Sequence, residues 1–133
     1  MNDKNNPYAG VTVLVIEDEA NTRLLIKRLL LQIGIISVVE AGDGKAGLDE
    51  AMRTRPTIIL CDVHMEPVDG RAFLKTLRGL KVRDLANTPV IFLTADAQTD
   101  TVLFAKEHHV NGYLVKPVSL TQLKTRVDAV LKK

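Results

Sequence analysis

The chain has 133 residues, 46% of them apolar and 26% charged, and a net charge of +2. That length suits one domain with a sizeable core, because folding at this size buries roughly two thirds of the unfolded surface. The composition excludes a disordered, collagenous or coiled-coil chain. A single cysteine, Cys61, excludes an intramolecular disulfide and a multi-cysteine metal site, and three Phe and two Tyr without Trp are too few for a base-stacking surface.

In chain order, residues 1–10 are polar and lack the apolar stretch of a secretory signal, so a short polar tail is expected ahead of a domain over 11–133. The most apolar region, 24–39, is broken by Lys27, Arg28, Gln32, Gly34 and Ser37, whereas a membrane span needs about 20 mostly apolar residues. The expected location is therefore cytoplasmic. Five short runs rich in Val and Ile stand at 11–16, 35–39, 57–61, 90–93 and 113–115, the pattern of parallel strands buried on both faces. Helical patterns alternate with them. Leu25, Leu29 and Ile33 recur every fourth residue, with Gly34 closing that helix. Residues 44–54 carry Ala46, Leu48, Ala51 and Met52, residues 71–78 carry Phe73, Leu74 and Leu77, and residues 99–108 carry Val102, Leu103 and Ala105. Ser119 caps a last helix whose apolar face is Leu120, Leu123, Val127, Val130 and Leu131. The longest connection is 79–88. This βαβαβαβαβα order predicts an α/β fold, a parallel sheet with helices on both faces.

Charge is unevenly spread. Residues 1–66 hold 7 basic and 10 acidic side chains, a net of −3, and residues 67–133 hold 11 and 6, a net of +5. Five basic residues and no acid lie between Arg71 and Arg83, read as a solvated helix face and loop because no aromatics interleave with them.

Ligands of open parallel sheets sit outside the carboxyl ends of the strands. Glu17, Asp18 and Glu19 follow the first predicted strand, Asp62 the third, Thr94 the fourth, and Lys116-Pro117 the fifth. All these groups fall on one edge. Clustered carboxylates resist joint ionisation without a cation. Lys116 supplies one charge, and Mg²⁺ suits a small carboxylate set that also meets phosphate. Asp62 is then the candidate nucleophile, with Lys116 and Thr94 placed to receive phosphoryl oxygens. Acids just after a strand also cap helices, and Asp18 or Glu19 could do only that.

Together VTVLVIEDE (11–19), ILCDVHMEPVDG (59–70), VIFLTADA (90–97) and NGYLVKPV (111–118) closely resemble the receiver domain of bacterial two-component response regulators, over residues 11–132. The resemblance is to single-domain regulators of the chemotaxis type. It implies a flavodoxin-like fold, a five-stranded parallel sheet of order 2-1-3-4-5 with five helices. Asp62 resembles the phosphoacceptor, and Glu17 and Asp18 the acidic pair that holds Mg²⁺ with Asp62 and the backbone carbonyl of His64. Thr94 resembles the switch hydroxyl, Lys116 the phosphate partner, and Tyr113 the aromatic that turns inward. A cis peptide is expected at Lys116-Pro117. His64 and Asp96 stand where the family modulates the lifetime of the aspartyl phosphate. The family commonly has Met-Pro after the acceptor, where this chain has Met65-Glu66-Pro67, so the conformation of that loop is left open. His108 and His109 are expected as helix-end surface residues. The implied partners are a histidine kinase or histidine phosphotransfer protein and a downstream protein. Signalling would pass through the surface over 99–133, without binding to nucleic acid or membrane, by a monomer or phosphorylation-dependent dimer. The domain fills the chain, so a separate output module is not expected.

Two enzyme readings compete. Gly42-Asp43-Gly44-Lys45-Ala46-Gly47 matches the dinucleotide-binding G-x-G-x-x-G, but it follows the second strand and leaves Glu17, Asp18, Thr94 and Lys116 without a task. A phosphatase of the haloacid-dehalogenase type would need a second Asp two residues after the first, where His64 stands. The expectation is a switch, not a multiple-turnover enzyme.

Overall fold

The computed structural model describes residues 5–95 and 109–133. Its elements are β1 (Thr12–Ile16), α1 (Ala20–Ile33), β2 (Ser37–Ala41), α2 (Gly44–Thr54), β3 (Ile58–Asp62), α3 (Gly70–Arg78), α4 (Arg83–Ala86), β4 (Val90–Thr94), β5 (Gly112–Val115) and α5 (Leu120–Leu131). All strands are parallel and the order is β2-β1-β3-β4-β5, the flavodoxin-like arrangement. The predicted helix over 99–108 lies outside the described residues. The predicted connection 79–88 contains the one-turn α4.

The runs of the central strands β1, β3 and β4 are continuous because both sheet faces are covered there, whereas the edge strand β2 exposes Ser37 and Glu40. Along β1, Val13 and Val15 face a core with Ile26 and Leu30 of α1 and Leu123 and Val127 of α5. The alternate residues Leu14 and Ile16 face a second core with Ala51 of α2 and Phe73, Leu74 and Leu77 of α3. Burial on both faces gives an unbroken Val/Ile run, not polar–apolar alternation.

Three expectations shift. The second strand begins at Ser37, not at residue 35, because Ile35 belongs to the end of α1. Gly34 takes a left-handed conformation (φ 115°), its N–H donates to Leu31 O (3.1 Å), and the Ile35 N–H donates to Leu30 O (3.0 Å). This closure satisfies the last helical carbonyls and buries Ile35 as its apolar contact. On α1 the buried residues are Ile26 and Leu30, with Leu29 and Ile33 partly covered. Leu25 is 46% exposed, so the true stripe is rotated from the predicted one. On α2 the buried positions are Gly44, Gly47 and Ala51, with Ala46 and Leu48 partly covered, while Met52 is exposed.

Residues 5–10, expected within a polar tail, lie against the body of the domain. Tyr8 is buried, and its hydroxyl donates to Asp128 Oδ1 on α5 (2.6 Å). Asn6 Nδ2 donates to Gly34 O (2.8 Å). Among the described residues no helix is long and apolar enough to cross a membrane.

Candidate functional site

The three acids after β1 do three different things. Glu17 is fully buried and faces inward, with Oε2 accepting from the Glu19 N–H (3.1 Å). Asp18 is exposed at the mouth of the site. Glu19 caps α1, accepting from the N–H groups of Asn21 (2.9 Å) and Thr22 (3.2 Å) and from the Thr22 hydroxyl. Four orphan amides open every helix, and an acid at the cap answers two of them here.

Asp62 ends β3 and is 4% exposed. Its loop is folded back tightly. The Gly70 N–H donates to Val63 O (2.9 Å), and a Cβ on Gly70 would collide with the Asp62 carbonyl. Asp69 caps α3 through the Ala72 N–H (2.8 Å). Thus α3 starts directly beneath the candidate nucleophile and holds its backbone. The Met65-Glu66-Pro67 departure is accommodated with Met65 buried, Glu66 exposed and a cis Glu66-Pro67 peptide.

Lys116 follows β5. Its N–H donates to Thr94 O (2.7 Å), and the Lys116-Pro117 peptide is cis, as expected. The Nζ lies 2.5 Å from Glu17 Oε1 and 3.3 Å from Asp62 Oδ1. Thr94 is fully buried at the end of β4, beside β3. Carboxylate oxygens of Glu17, Asp18 and Asp62 lie within 4.8 Å of one another.

The electrostatics follow from this crowding. Burial pushes the Glu17 carboxyl above its usual range, and Lys116 and the Glu19 amide offset this only in part. Burial draws the Lys116 ammonium down, but Glu17 and Asp62 outweigh it and hold it above its usual range. Three carboxylates face one ammonium. That all-oxygen set with surplus negative charge fits a hard divalent cation. Burial and the adjacent Asp62 charge hold the Cys61 thiol far above its usual range, which keeps it protonated beside the site.

The other predicted residues fall as follows. His64 is exposed, its N–H 3.4 Å from Asp62 Oδ1, and it lines a surface depression of about 440 Å³ with Asp18, Met65, Glu66 and Asp69. Tyr113 is half-buried on β5, beside Thr94's strand. His109 is exposed, whereas Asp96 and His108 lie outside the described residues.

The glycine motif after β2 has packing duties. The Gly44 N–H donates to Val68 O (3.1 Å), and a Cβ there would lie 2.6 Å from that oxygen. A Cβ on Gly47 would overlap Ile16, and Asp43 caps α2 through the Ala46 N–H (2.8 Å). The motif follows the edge strand β2 and opens α2, away from the strand-order reversal between β1 and β3 where such folds bind ligands.

Sequence reasoning missed two arginines. Arg78, in the basic run, donates to Ala86 O (2.8 Å), Thr88 O (2.8 Å) and His109 O (3.0 Å), tying loops together at the opposite edge of the sheet. Arg23 donates to Glu17 O (2.7 Å). No sequence pattern links either arginine to its acceptors, because they are backbone carbonyls, alike at every position, that only the fold brings within reach.

Comparison with known proteins agrees with this geometry. Chemotaxis protein CheY-3 of Vibrio cholerae is 29% identical over 124 residues, covering 93% of this chain and 94% of the relative. The solved structure of Vibrio cholerae CheY4 matches with a TM-score of 0.83 at 28% identity, covering 90% of this chain and 98% of that one. The signal receiver domain of a histidine kinase from Syntrophus aciditrophicus matches with a TM-score of 0.81 at 27% identity, covering 92% and 91%. The family model for the response regulator receiver domain matches residues 13–128. With that match spanning most of the chain, and with acids, hydroxyl and lysine gathered at its strand ends, the protein belongs to the response regulator receiver domain family of two-component signalling proteins.

Proposed function

We propose that this chain is a phosphoacceptor switch, in which Asp62 takes a phosphoryl group from the phosphohistidine of a histidine kinase or histidine phosphotransfer protein in a Mg²⁺-dependent reaction. One observation carries the reading: a buried strand-end carboxylate lies 3.3 Å from a lysine ammonium and within 4.8 Å of two further carboxylates. An Asp62 oxygen attacks phosphorus, the N–P bond breaks, and the imidazole leaves with that electron pair and takes up a proton. Lys116 is placed to pair with one phosphoryl oxygen, and Thr94 to donate a hydrogen bond to another. Glu17, Asp18, Asp62 and the His64 carbonyl would hold Mg²⁺, which supplies charge neutralisation at the phosphoryl oxygens. As Thr94 moves toward the phosphoryl group it vacates space beside β5, and Tyr113 turns inward. The surface of β5 and α5 then changes for a downstream protein.

The test is labelling by a small phosphodonor such as acetyl phosphate, followed by intact mass. Stoichiometric, Mg²⁺-dependent labelling of the parent and none in Asp62→Asn is expected. Persistent labelling of that variant would refute the assignment, and multiple turnover on a phosphate ester would favour the phosphatase reading. His64, at the mouth of the depression, and Asp96 are proposed to set how long the phosphate lasts. His64→Ala and Asp96→Ala should each change that lifetime more than they change Mg²⁺ affinity, and equal decay rates in both variants and the parent would sink the idea.

A further inference from the structure

We propose that Arg23 is a positioning residue for the metal-holding acids, an inference that rests on the Mg²⁺ reading above. Glu17 and Asp18 share a peptide bond, so the plane of that peptide sets where both carboxylates point. Both of Glu17's backbone groups are held from other segments. Its N–H donates to Ala41 O at the end of β2 (3.0 Å), and its carbonyl accepts from Arg23 Nη1 on α1 (2.7 Å). Arg23 is fixed in turn, because its Nε donates to Glu40 Oε1 on β2 (3.3 Å) and Lys27 Nζ reaches Glu40 Oε2 (3.5 Å). Its side chain is only 23% exposed and runs over the end of β2, where a Cβ on Gly42 would come within 3.8 Å of Nη1.

One planar guanidinium therefore joins the ends of β1 and β2 through the carbonyl of the Glu17–Asp18 peptide. Two donors in a rigid fork are required, one for the carbonyl and one for Glu40, and lysine offers only a single point charge. Without Arg23 that carbonyl loses its charged donor and the peptide can rotate, so the oxygens of Glu17, Asp18 and Asp62 lose their common arrangement. Residues that orient metal ligands from behind typically contribute tenfold or more to affinity.

The sign of the effect separates positioning from simple charge. Deleting a cation near a carboxylate cluster strengthens Mg²⁺ binding by Coulomb's law, whereas loss of positioning weakens it. The experiment is calorimetric Mg²⁺ titration of the full chain as parent, Arg23→Met, Arg23→Lys and Glu40→Gln, with Tyr8→Phe as a destabilised control remote from the site. Expected are an affinity about tenfold lower in Arg23→Met, incomplete rescue in Arg23→Lys, a smaller loss in Glu40→Gln, and parental affinity in Tyr8→Phe. Parental or tighter binding by folded Arg23→Met overturns the proposal. Should that variant fail to fold, parental affinity in Glu40→Gln overturns it. A parent that binds no Mg²⁺ overturns the function proposed above and this inference together, so the two failures are distinguishable.

Discussion

Lys116 answers two buried carboxylates, Glu17 Oε1 and Asp62 Oδ1, so the charge balance of the cluster bears on stability as well as on the proposed chemistry. Glu17's carboxyl is driven up by burial, so the folded state holds its proton more tightly than the unfolded chain does. Stability from this group is therefore greatest at low pH and falls as pH rises from the ordinary Glu range through the raised value. Removing the charge should remove that slope. Metal-free urea denaturation at pH 5 and pH 7 should show Glu17→Gln gaining on the parent at the higher pH, and equal pH dependence would count against the burial argument. On the proposed Mg²⁺ reading, the same substitution should weaken metal binding, since it withdraws one of the three clustered carboxylates. Lys116→Met should leave the fold intact and lower the rate of labelling by acetyl phosphate about 100-fold, the scale of losing one preorganised donor to a developing charge. A near-parental rate would remove Lys116 from the mechanism.

At the scale of elements, small residues decide how closely the helices approach the sheet. Gly47 of α2 faces Ile16, and a Cβ there would overlap that side chain. Gly47→Ala should therefore destabilise by about 2 kcal/mol, within the range for overpacking a tight core, although alanine is the better helix former. Denaturant midpoints would check this, and an unchanged or higher midpoint would mean that α2 can shift outward without cost. The N-terminal segment is the second case. The hydrogen bond of Tyr8 to Asp128 and the packing of the Lys124 ammonium over the Tyr8 ring join residues 5–10 to α5, and Lys124 also pairs with Asp128 within that helix (2.7 Å). Lys124 first, and Tyr8 second, hold the Asp128 carboxyl below its usual range. Its contribution is thus present above the ordinary Asp range and lost as pH falls through the lowered value. Tyr8→Phe should cost about 1 kcal/mol near neutrality and progressively less in acid. A cost that does not change with pH would mean that Asp128's charge is irrelevant to the contact.

Over the whole molecule, the order β2-β1-β3-β4-β5 places the ends of β1 and β3 side by side at the reversal, with β4 and β5 next in line. Glu17, Asp62, Thr94 and Lys116 consequently meet at one edge, while Arg78 ties the loops before β4 and β5 at the other. A signal that begins at Asp62 would therefore move the carboxyl ends of β4 and β5 about an anchored base. Thr94→Val should still be labelled at Asp62 but lose much of the phosphorylation-induced NMR shift change over 112–131. Full shift changes in that variant would place the coupling elsewhere.

Much of this was legible in the chain. Strands covered on both faces must be apolar throughout, so Val/Ile runs mark them, and the residues after the first, third, fourth and fifth runs mark the site edge. Residues with one local partner were also readable, such as Ser119 capping α5 and Gly34 closing α1. Ile35 reads as strand in the sequence because a buried helix-end contact and a buried strand residue have the same hydrophobicity. The face of α1 is not fixed by the sequence, because several apolar rows are available and only packing against α5 and the sheet selects among them. The three neighbouring acids divide into an inward carboxylate, an outward carboxylate and a helix cap only through the direction in which the chain leaves β1. Composition and order along the chain thus determined the α/β fold, the site edge and the residues at it. Tertiary structure alone decided which glycines permit close packing, that Tyr8 belongs to the core, and that Arg23 grips the Glu17 carbonyl. Tyr8 and the close-packed glycines depend on partners from distant segments, and Arg23 reaches back six residues in a direction set only by how the chain turns from β1 into α1, whereas side-chain periodicity carries information only about a residue's own element.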